Sequence, residues 1–417
     1  DYTVLAGTQG QRNHAKKDRL FELAERYRLP VVLFAEGGGG RPGDTDTPVI
    51  AGLDTRAFEL FARLSGLVPT AGVAAGRCFA GNAALLGCCD VIIATADSNI
   101  GMGGPAMIEG GGLGAFRPED IGPIHVQVAN GVVDVAVADE VEAVAVARRY
   151  LGYFQGAWAG GDAPDQTTLR THVPENRKRV HDVRAVIDTL ADVDSVLELR
   201  AGFGPGMVTA LVRLDGMPVG VVANDPTHLG GAIDRDGADK AARFMQLCDA
   251  HDLPVLYLCD TPGFMVGPEA EQQAQVRHFS RMFVTAASVT VPFGTVVLRK
   301  GYGLGAQAMA GGSFRAGMFT LSWPTGEFGG MGLEGAVKLG FRRELEAIED
   351  PDERQAAFDE MVEAAYRHGR ALNMAAHLEI DDVIDPAETR DRVIHAFRSA
   401  PAPAARTGKK RPFVDTW

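Results

Sequence analysis

The sequence predicts an α/β protein built from two homologous domains in tandem, residues 1–165 and 166–417. Three observations carry this expectation. A stretch of helical periodicity followed by a short apolar run occurs at residues 14–34 and again at 238–258, and helix-then-strand units of this kind imply mostly parallel strands under helical cover. The two stretches match residue by residue: Lys16 with Lys240, Arg19 with Arg243, Leu23 with Leu247, and Leu29-Pro30-Val31 with Leu253-Pro254-Val255. In each copy a Val-Pro pair then precedes a strand, a glycine turn and a helix start: Val68-Pro69 before Val73–Ala83, and Val291-Pro292 before Val296–Met309. Downstream, Gly101-Met102-Gly103 answers Gly330-Met331-Gly332. The period is too long for a solenoid unit and reads as a duplicated domain.

Taken in order, residues 14–28 carry Leu20, Leu23, Ala24 and Tyr27 on one helical face, Pro30 marks the exit, and Val31–Phe34 is a short buried strand. The loop Glu36-Gly37-Gly38-Gly39-Gly40-Arg41-Pro42-Gly43-Asp44 follows, where four consecutive glycines permit either flexibility or close approach to a ligand. Glu140 to Phe154 is helical, Gly156 to Thr171 is a polar, glycine-rich linker, and the basic run Pro174–Arg179 precedes a helix near Val183–Leu190. Strands Met207–Leu214 and Val219–Asn224 form a hairpin through Asp215-Gly216-Met217-Pro218. The second copy repeats the pattern with Phe244, Leu247, Cys248 and His251 on a helix and Val255–Leu258 as the strand, followed by the loop Asp260–Pro268 and a strand Met318–Ser322. From Leu333 the chain is helical, and the tail Ser399–Pro403 reads as loosely ordered or docked on a partner.

Composition excludes several classes. The chain of 417 residues is long enough for two cores, and 46% hydrophobic with 23% charged residues is ordinary for a soluble protein. A net charge of −13 argues against a nucleic-acid surface. No run approaches the roughly 18 apolar residues of a membrane span. No signal peptide is expected, since residue 1 leads directly into Tyr2-Thr3-Val4-Leu5. Cys78, Cys88, Cys89, Cys248 and Cys259 lie in apolar surroundings without a C-x-x-C pair, so they read as reduced core residues of a cytoplasmic protein. No histidine spacing suits a metal, and no protein-bound metal is expected. Neither glycine loop contains Gly-Lys-Ser/Thr, which makes nucleoside triphosphate binding improbable.

The chemistry resides in the repeated turns. The first N–H groups of a helix have no internal partner, and a glycine turn lets them approach a ligand closely. Two such turns suit a reaction that develops two oxyanions, with preorganised dipoles supplying the stabilisation in place of a triad or a metal. A thioester enolate is one natural client.

Asn224-Asp225-Pro226-Thr227-His228-Leu229-Gly230-Gly231 with Asp234 and Lys240–Phe244 resembles the carboxyltransferase subunits of biotin-dependent acyl-CoA carboxylases. So do Asp260-Thr261-Pro262-Gly263-Phe264, Trp323-Pro324-Thr325, Gly330-Met331-Gly332 and Pro174-Glu175-Asn176-Arg177. The resemblance runs essentially end to end. It implies two crotonase-like ββα-spiral domains and transfer of the carboxyl group from carboxybiotin, held on a separate biotinylated domain, to the α carbon of an acyl-CoA. By the same resemblance the amides of Ala80 and Gly81 hold the enolate and those of Leu304 and Gly305 hold the ureido oxygen anion of biotin. Substrate contacts are implied at Gly38, Gly39, Arg41, Phe79, Asn82 and Gly103 in the first half, and at Tyr302, Gly303, Gln307 and Gly332 in the second. Implied partners are biotin carboxylase and biotin carboxyl carrier domains, separate or fused. The implied working unit is a homo-oligomer, at least a dimer and by family a hexamer, in which the first domain of one subunit faces the second domain of another.

Some positions depart from the family pattern: the first turn reads Ala80-Gly81-Asn82 where paired glycines are common, and the acidic loop reads Glu36-Gly37-Gly38-Gly39-Gly40-Arg41. The chain also begins well inside the first domain of the family, so one upstream helix–strand section is expected to be missing. No biotin-attachment Met-Lys-Met is present. The alternatives are a biotin-dependent acyl-CoA decarboxylase on the same fold, a non-catalytic CoA-binding or scaffold subunit, and a dinucleotide turn at Gly301-x-Gly303-x-Gly305. The last lacks the acidic residue expected at the end of the next strand. A crotonase-type hydratase would need paired carboxylates, and Glu327 and Glu334, the nearest to the second turn, read as supports of the fold.

Overall fold

The computed structural model describes residues 3–41 and 50–417. The first half forms a parallel sheet in the order β1 (Val31–Phe34), β2 (Thr70–Ala74), β4 (Val91–Thr95), β6 (Val135–Val137), beside a parallel pair β3 (Arg77–Phe79) and β5 (Asn99–Gly101). The second half contributes β7 (Leu197–Leu199), β8 (Met207–Leu214), β9 (Met217–Asn224), β10 (Val255–Thr261), β11 (Phe293–Tyr302), β12 (Phe319–Ser322), β13 (Glu327–Gly329) and β14 (Asp382–Val383). Its sheet runs β14-β12-β11-β10-β9-β8-β7, with β13 pairing the far end of β11. All pairs there are parallel except β7–β8 and β8–β9. β8 and β10 are buried at every residue, the mark of strands covered on both faces.

The hairpin closes on two residues, Asp215 (φ 50°) and Gly216 (φ 78°), with Leu214 opposite Met217. The second strand therefore begins two residues earlier than the sequence suggested. Pro218 is tolerated inside it because the pairing of β9 with β10 starts only at Gly220, so no ladder bond is lost. The expected linker is pinned rather than free. Trp158 lies under Arg213, 3.6 Å from guanidinium carbon to ring centroid, and Gln166–His172 is already helical.

Equivalent helices meet opposite environments. On Gln11–Tyr27 the core-facing residues are Phe21 and Ala24, whereas Leu20 and Tyr27 are 56% and 62% exposed, contrary to the face read from the sequence. Phe21 reaches Phe61 at 4.8 Å between ring centroids, which sets the helix's rotation. The second-copy helix Arg235–Ala250 is buried along nearly its whole length. It is sandwiched against the first half: Arg243 donates to Asp90 O at 2.5 Å, and one continuous core runs from Val73 and Ile93 to Met245 and Val297. Exposed Lys16 and Arg19 thus correspond to buried Lys240 and Arg243.

Ser399 ends the last helix, Thr389–Ser399, and residues 400–403 follow it without regular structure, but the segment beyond them straps the two halves together. Ser65 brackets buried Val414, accepting from its N–H at 3.0 Å and donating to its carbonyl at 3.2 Å. Arg411 pairs with Asp249 at 2.9 Å and Asp415 with Arg281 at 2.5 Å. All five cysteines are free thiols; four are buried and Cys88 is half-buried. No helix among the described residues is long and apolar enough to cross a membrane.

Candidate functional site

Both turns are built by the same device. In the second half, Cys259 pairs with Val297 and Thr261 with Gly301, so two steps along β10 stand opposite four along β11. In the first half, Phe34 pairs with Val73 and Gly37 with Cys78, three steps against five. Each bulge bends its strand and directs the following residues out of the sheet. Counted from the two Val-Pro pairs, Ala80 falls on Gly303, and these take φ of 52° and 56° as the chain enters the helices Gly81–Gly87 and Gly303–Ala308.

This register decides which amides are free. The Ala80 N–H is engaged by Gly101 O at 3.1 Å, through the β3–β5 pairing, and so is not available to a ligand. The N–H groups of Gly81 and Asn82, and of their equivalents Leu304 and Gly305, carry no hydrogen bond among the described residues. Each turn is backed by a glycine at the same repeat position. A Cβ on Gly39 would lie 2.5 Å from Ala80 Cβ and 3.3 Å from Gly81 N. A Cβ on Gly305 would lie 2.6 Å from Gly263 Cα. Gly263 stands in a family motif but was not expected as a site residue, although its match to Gly39 in the repeat is the signal that could have found it.

Around the first turn, Gly38 is exposed and donates to Ala6 O at 3.0 Å, and the Arg41 guanidinium donates to Thr8 O at 3.2 Å. Pro42, Gly43 and Asp44 of the expected loop lie outside the described residues. Asn82 is buried, accepting at Oδ1 from Gln9 Nε2, while Gln9 Oε1 accepts from Lys17, whose ammonium is drawn down to about 8 by burial. Phe79 is core, 3% exposed and packed under Gly104. Only its backbone could meet a substrate. Gly103 is half-buried above Met107.

Around the second turn, Leu304 is 57% exposed and Gly305 buried. Tyr302 is buried and donates from its hydroxyl to Glu327 Oε2 at 3.1 Å; burial raises the Glu327 carboxyl above its usual range. Glu334 accepts from Tyr366 at 2.8 Å, so both glutamates are held by tyrosines. Gly332 precedes the helix Leu333–Gly340. Gly301, Gly303 and Gln307 open onto a cavity of about 880 Å³ whose far wall carries Arg315, His368 and His377. No repeat or motif marked those three residues, which reach the cavity only through the fold. Among the described residues no first-half residue lines it, and the first turn does not share that cavity with the second.

Residues 1–412 match the carboxyl transferase domain family. The chain is 32% identical over 411 residues to the methylmalonyl-CoA carboxyltransferase 12S subunit of Propionibacterium freudenreichii subsp. shermanii, covering 95% of this chain and 76% of that one. It is 31% identical over 417 residues to the biotin-dependent acetyl-/propionyl-coenzyme A carboxylase beta6 subunit of Mycobacterium tuberculosis, covering 97% and 86%. Among solved structures, a single-chain, multi-domain long-chain acyl-CoA carboxylase superposes with a TM-score of 0.89 and 62% identity, over 95% of this chain and 39% of that one. The transcarboxylase 12S hexamer, solved with methylmalonyl-CoA bound, superposes with a TM-score of 0.86 and 31% identity, over 98% and 80%.

Proposed function

Because this chain belongs to the carboxyl transferase domain family, with its crotonase-like fold and biotin-dependent transfer of a carboxyl group to an acyl-CoA, we propose that its two turns hold the two oxyanions of that reaction. The observation that carries the reading is the pair of unengaged amides after each bulge. Gly81 and Asn82 hold the thioester enolate oxygen, a one-residue shift from the pair expected from the sequence, since Ala80 is already bonded. Leu304 and Gly305 face the biotin ureido oxygen. The residues fit that group: the backbone at Gly305 is flush against Gly263, leaving no room for a side chain between them, and the cavity beside Gly303 is open. Carboxybiotin supplies the carboxyl group and, once decarboxylated, the base for the α-proton. This chain supplies the fixed dipoles, which act without reorganising as charge develops.

The separation of the half-sites supports a site composed of the first half of one subunit and the second half of another. The 62% identity to a long-chain acyl-CoA carboxylase supports a longer acyl group as substrate and fused biotin carboxylase and carrier domains as partners. The domain boundary is proposed to lie near residue 165, between the helix Glu140–Gly152 and the second half.

The test is the reverse half-reaction: malonyl-CoA, methylmalonyl-CoA and longer α-carboxyacyl-CoA esters with free biotin, followed as biotin-dependent decarboxylation. Turnover that favours the longer esters is expected. A stable oligomer that binds CoA esters yet never turns them over with biotin would overturn the reading. Mixing a first-turn variant with a second-turn variant should restore activity if the site is shared between subunits.

A further inference from the structure

We propose that Asp260 is a positioning residue for the second turn, its buried carboxylate latching the β11 bulge that aims the amides of Leu304 and Gly305. This rests on the role given above to those amides and adds what holds them in place. A bulge throws backbone groups out of the ladder, and a buried N–H so displaced needs a partner. Asp260, with no exposure, sits opposite the surplus residues of β11. Its Oδ1 accepts from the Lys300 backbone N–H at 3.1 Å, and its Oδ2 from Arg299 Nη2 at 3.1 Å. The Lys300 ammonium lies 3.4 Å from Oδ1 and donates onward to Gly230 O. Arg299 Nη1 donates to Arg179 O at 2.6 Å. His181, 6% exposed, closes the cluster with Nδ1 at 3.6 Å from Oδ2.

One carboxylate therefore grips the backbone and both side chains of the two residues immediately before Gly301. The first half holds the corresponding backbone with a hydroxyl. There Ser98 Oγ donates to Ala74 O at 2.8 Å and accepts from the Gly76 N–H at 3.2 Å, while Glu36 occupies the position equivalent to Asp260. Burying a charged cluster is costly unless it is fully paired, and removing one partner leaves its cations uncompensated. The second turn thus carries an electrostatic latch at the position where the first carries Ser98.

The experiment compares wild type with Asp260→Asn, which keeps the shape and removes the charge. In the biotin-dependent reverse reaction kcat should fall about 100-fold, the size expected for a misplacement of about 1 Å. KM for the CoA ester should stay within about two-fold, because that ester is held by the other turn. Combined with Gly305→Ala, the loss should not exceed that of the more damaging single change, since both act through the same amides. If Asp260→Asn does not accumulate as folded protein, Asp260→Glu carries the test. It keeps the charge but displaces the carboxylate by one methylene, and the same kcat loss at unchanged KM is expected. A kcat near wild type, a KM rising in step with the loss of kcat, or a fully multiplicative double variant would overturn the latch. Absence of turnover in wild type would instead overturn the reading of the turns on which it rests.

Discussion

Gly305→Ala adds a single methyl group where the fold leaves no room for it. The new Cβ would stand 2.6 Å from Gly263 Cα, 2.8 Å from its carbonyl carbon and 3.2 Å from its oxygen. Carbon atoms pack comfortably at about 3.5–4.0 Å, so the two backbones must part by about 1 Å. Gly263 is poorly placed to yield: its N–H donates to Thr261 Oγ1 at 3.1 Å, and its carbonyl accepts from Ile233 N at 3.0 Å. The turn therefore moves, and with it the Leu304 and Gly305 amides. A misplacement of about 1 Å costs about 10²-fold, and loss of an oxyanion donor about 10²–10³-fold, so kcat should fall by about two orders of magnitude. Overpacking should cost about 1–3 kcal/mol of stability. The assay is biotin-dependent decarboxylation beside thermal denaturation, with Gly340→Ala as control, since nothing lies within 4 Å of a Cβ there. A folded Gly305→Ala enzyme with kcat within about three-fold of wild type would refute the assignment of those amides.

Ala80 holds φ 52° and ψ −123°, a conformation costly for a residue with a Cβ, so Ala80→Gly should stabilise the protein by about 1 kcal/mol in chemical denaturation. Because the Ala80 N–H is bonded to Gly101 O, turnover should be retained; loss of turnover would return that amide to the site. Lys240 is 1% exposed and burial lowers its ammonium to about 7, against about 10.4 in an unfolded chain. Between these values the unfolded chain binds more protons, so this group makes stability rise from pH 7 to pH 10, by up to about 1.4 kcal/mol per unit, and Lys240→Met should flatten that rise in denaturant titrations. Deleting residues 412–417 removes buried Val414 and strips Arg281 of Asp415, and a loss of about 3 kcal/mol is expected in the same titrations.

Local pattern made much of this protein legible. The β1 and β8 limits, the Asp-Gly hairpin and the duplicated strand–turn–helix follow from alternation, turn chemistry and repeat matching, all of which are short-range properties of the chain. The family resemblance was likewise present in contiguous motifs, and the carboxyltransferase chemistry followed from it. What depends on distant segments was not legible. Ala80 loses its amide to Gly101 only because β3 and β5 pair. Arg315, His368 and His377 share a cavity only because the later helices fold back over the second turn.

The sequence by itself determined that the chain is a tandem duplication with two glycine turns, because periodicity and backbone permissiveness are written residue by residue. The tertiary structure alone decided how the copies differ. Lys16 and Lys240, alike in sequence, became a surface and a core residue, since only the second helix is packed between the two halves. Burial belongs to the packing of the halves, and a local repeat cannot encode which of its copies will be covered.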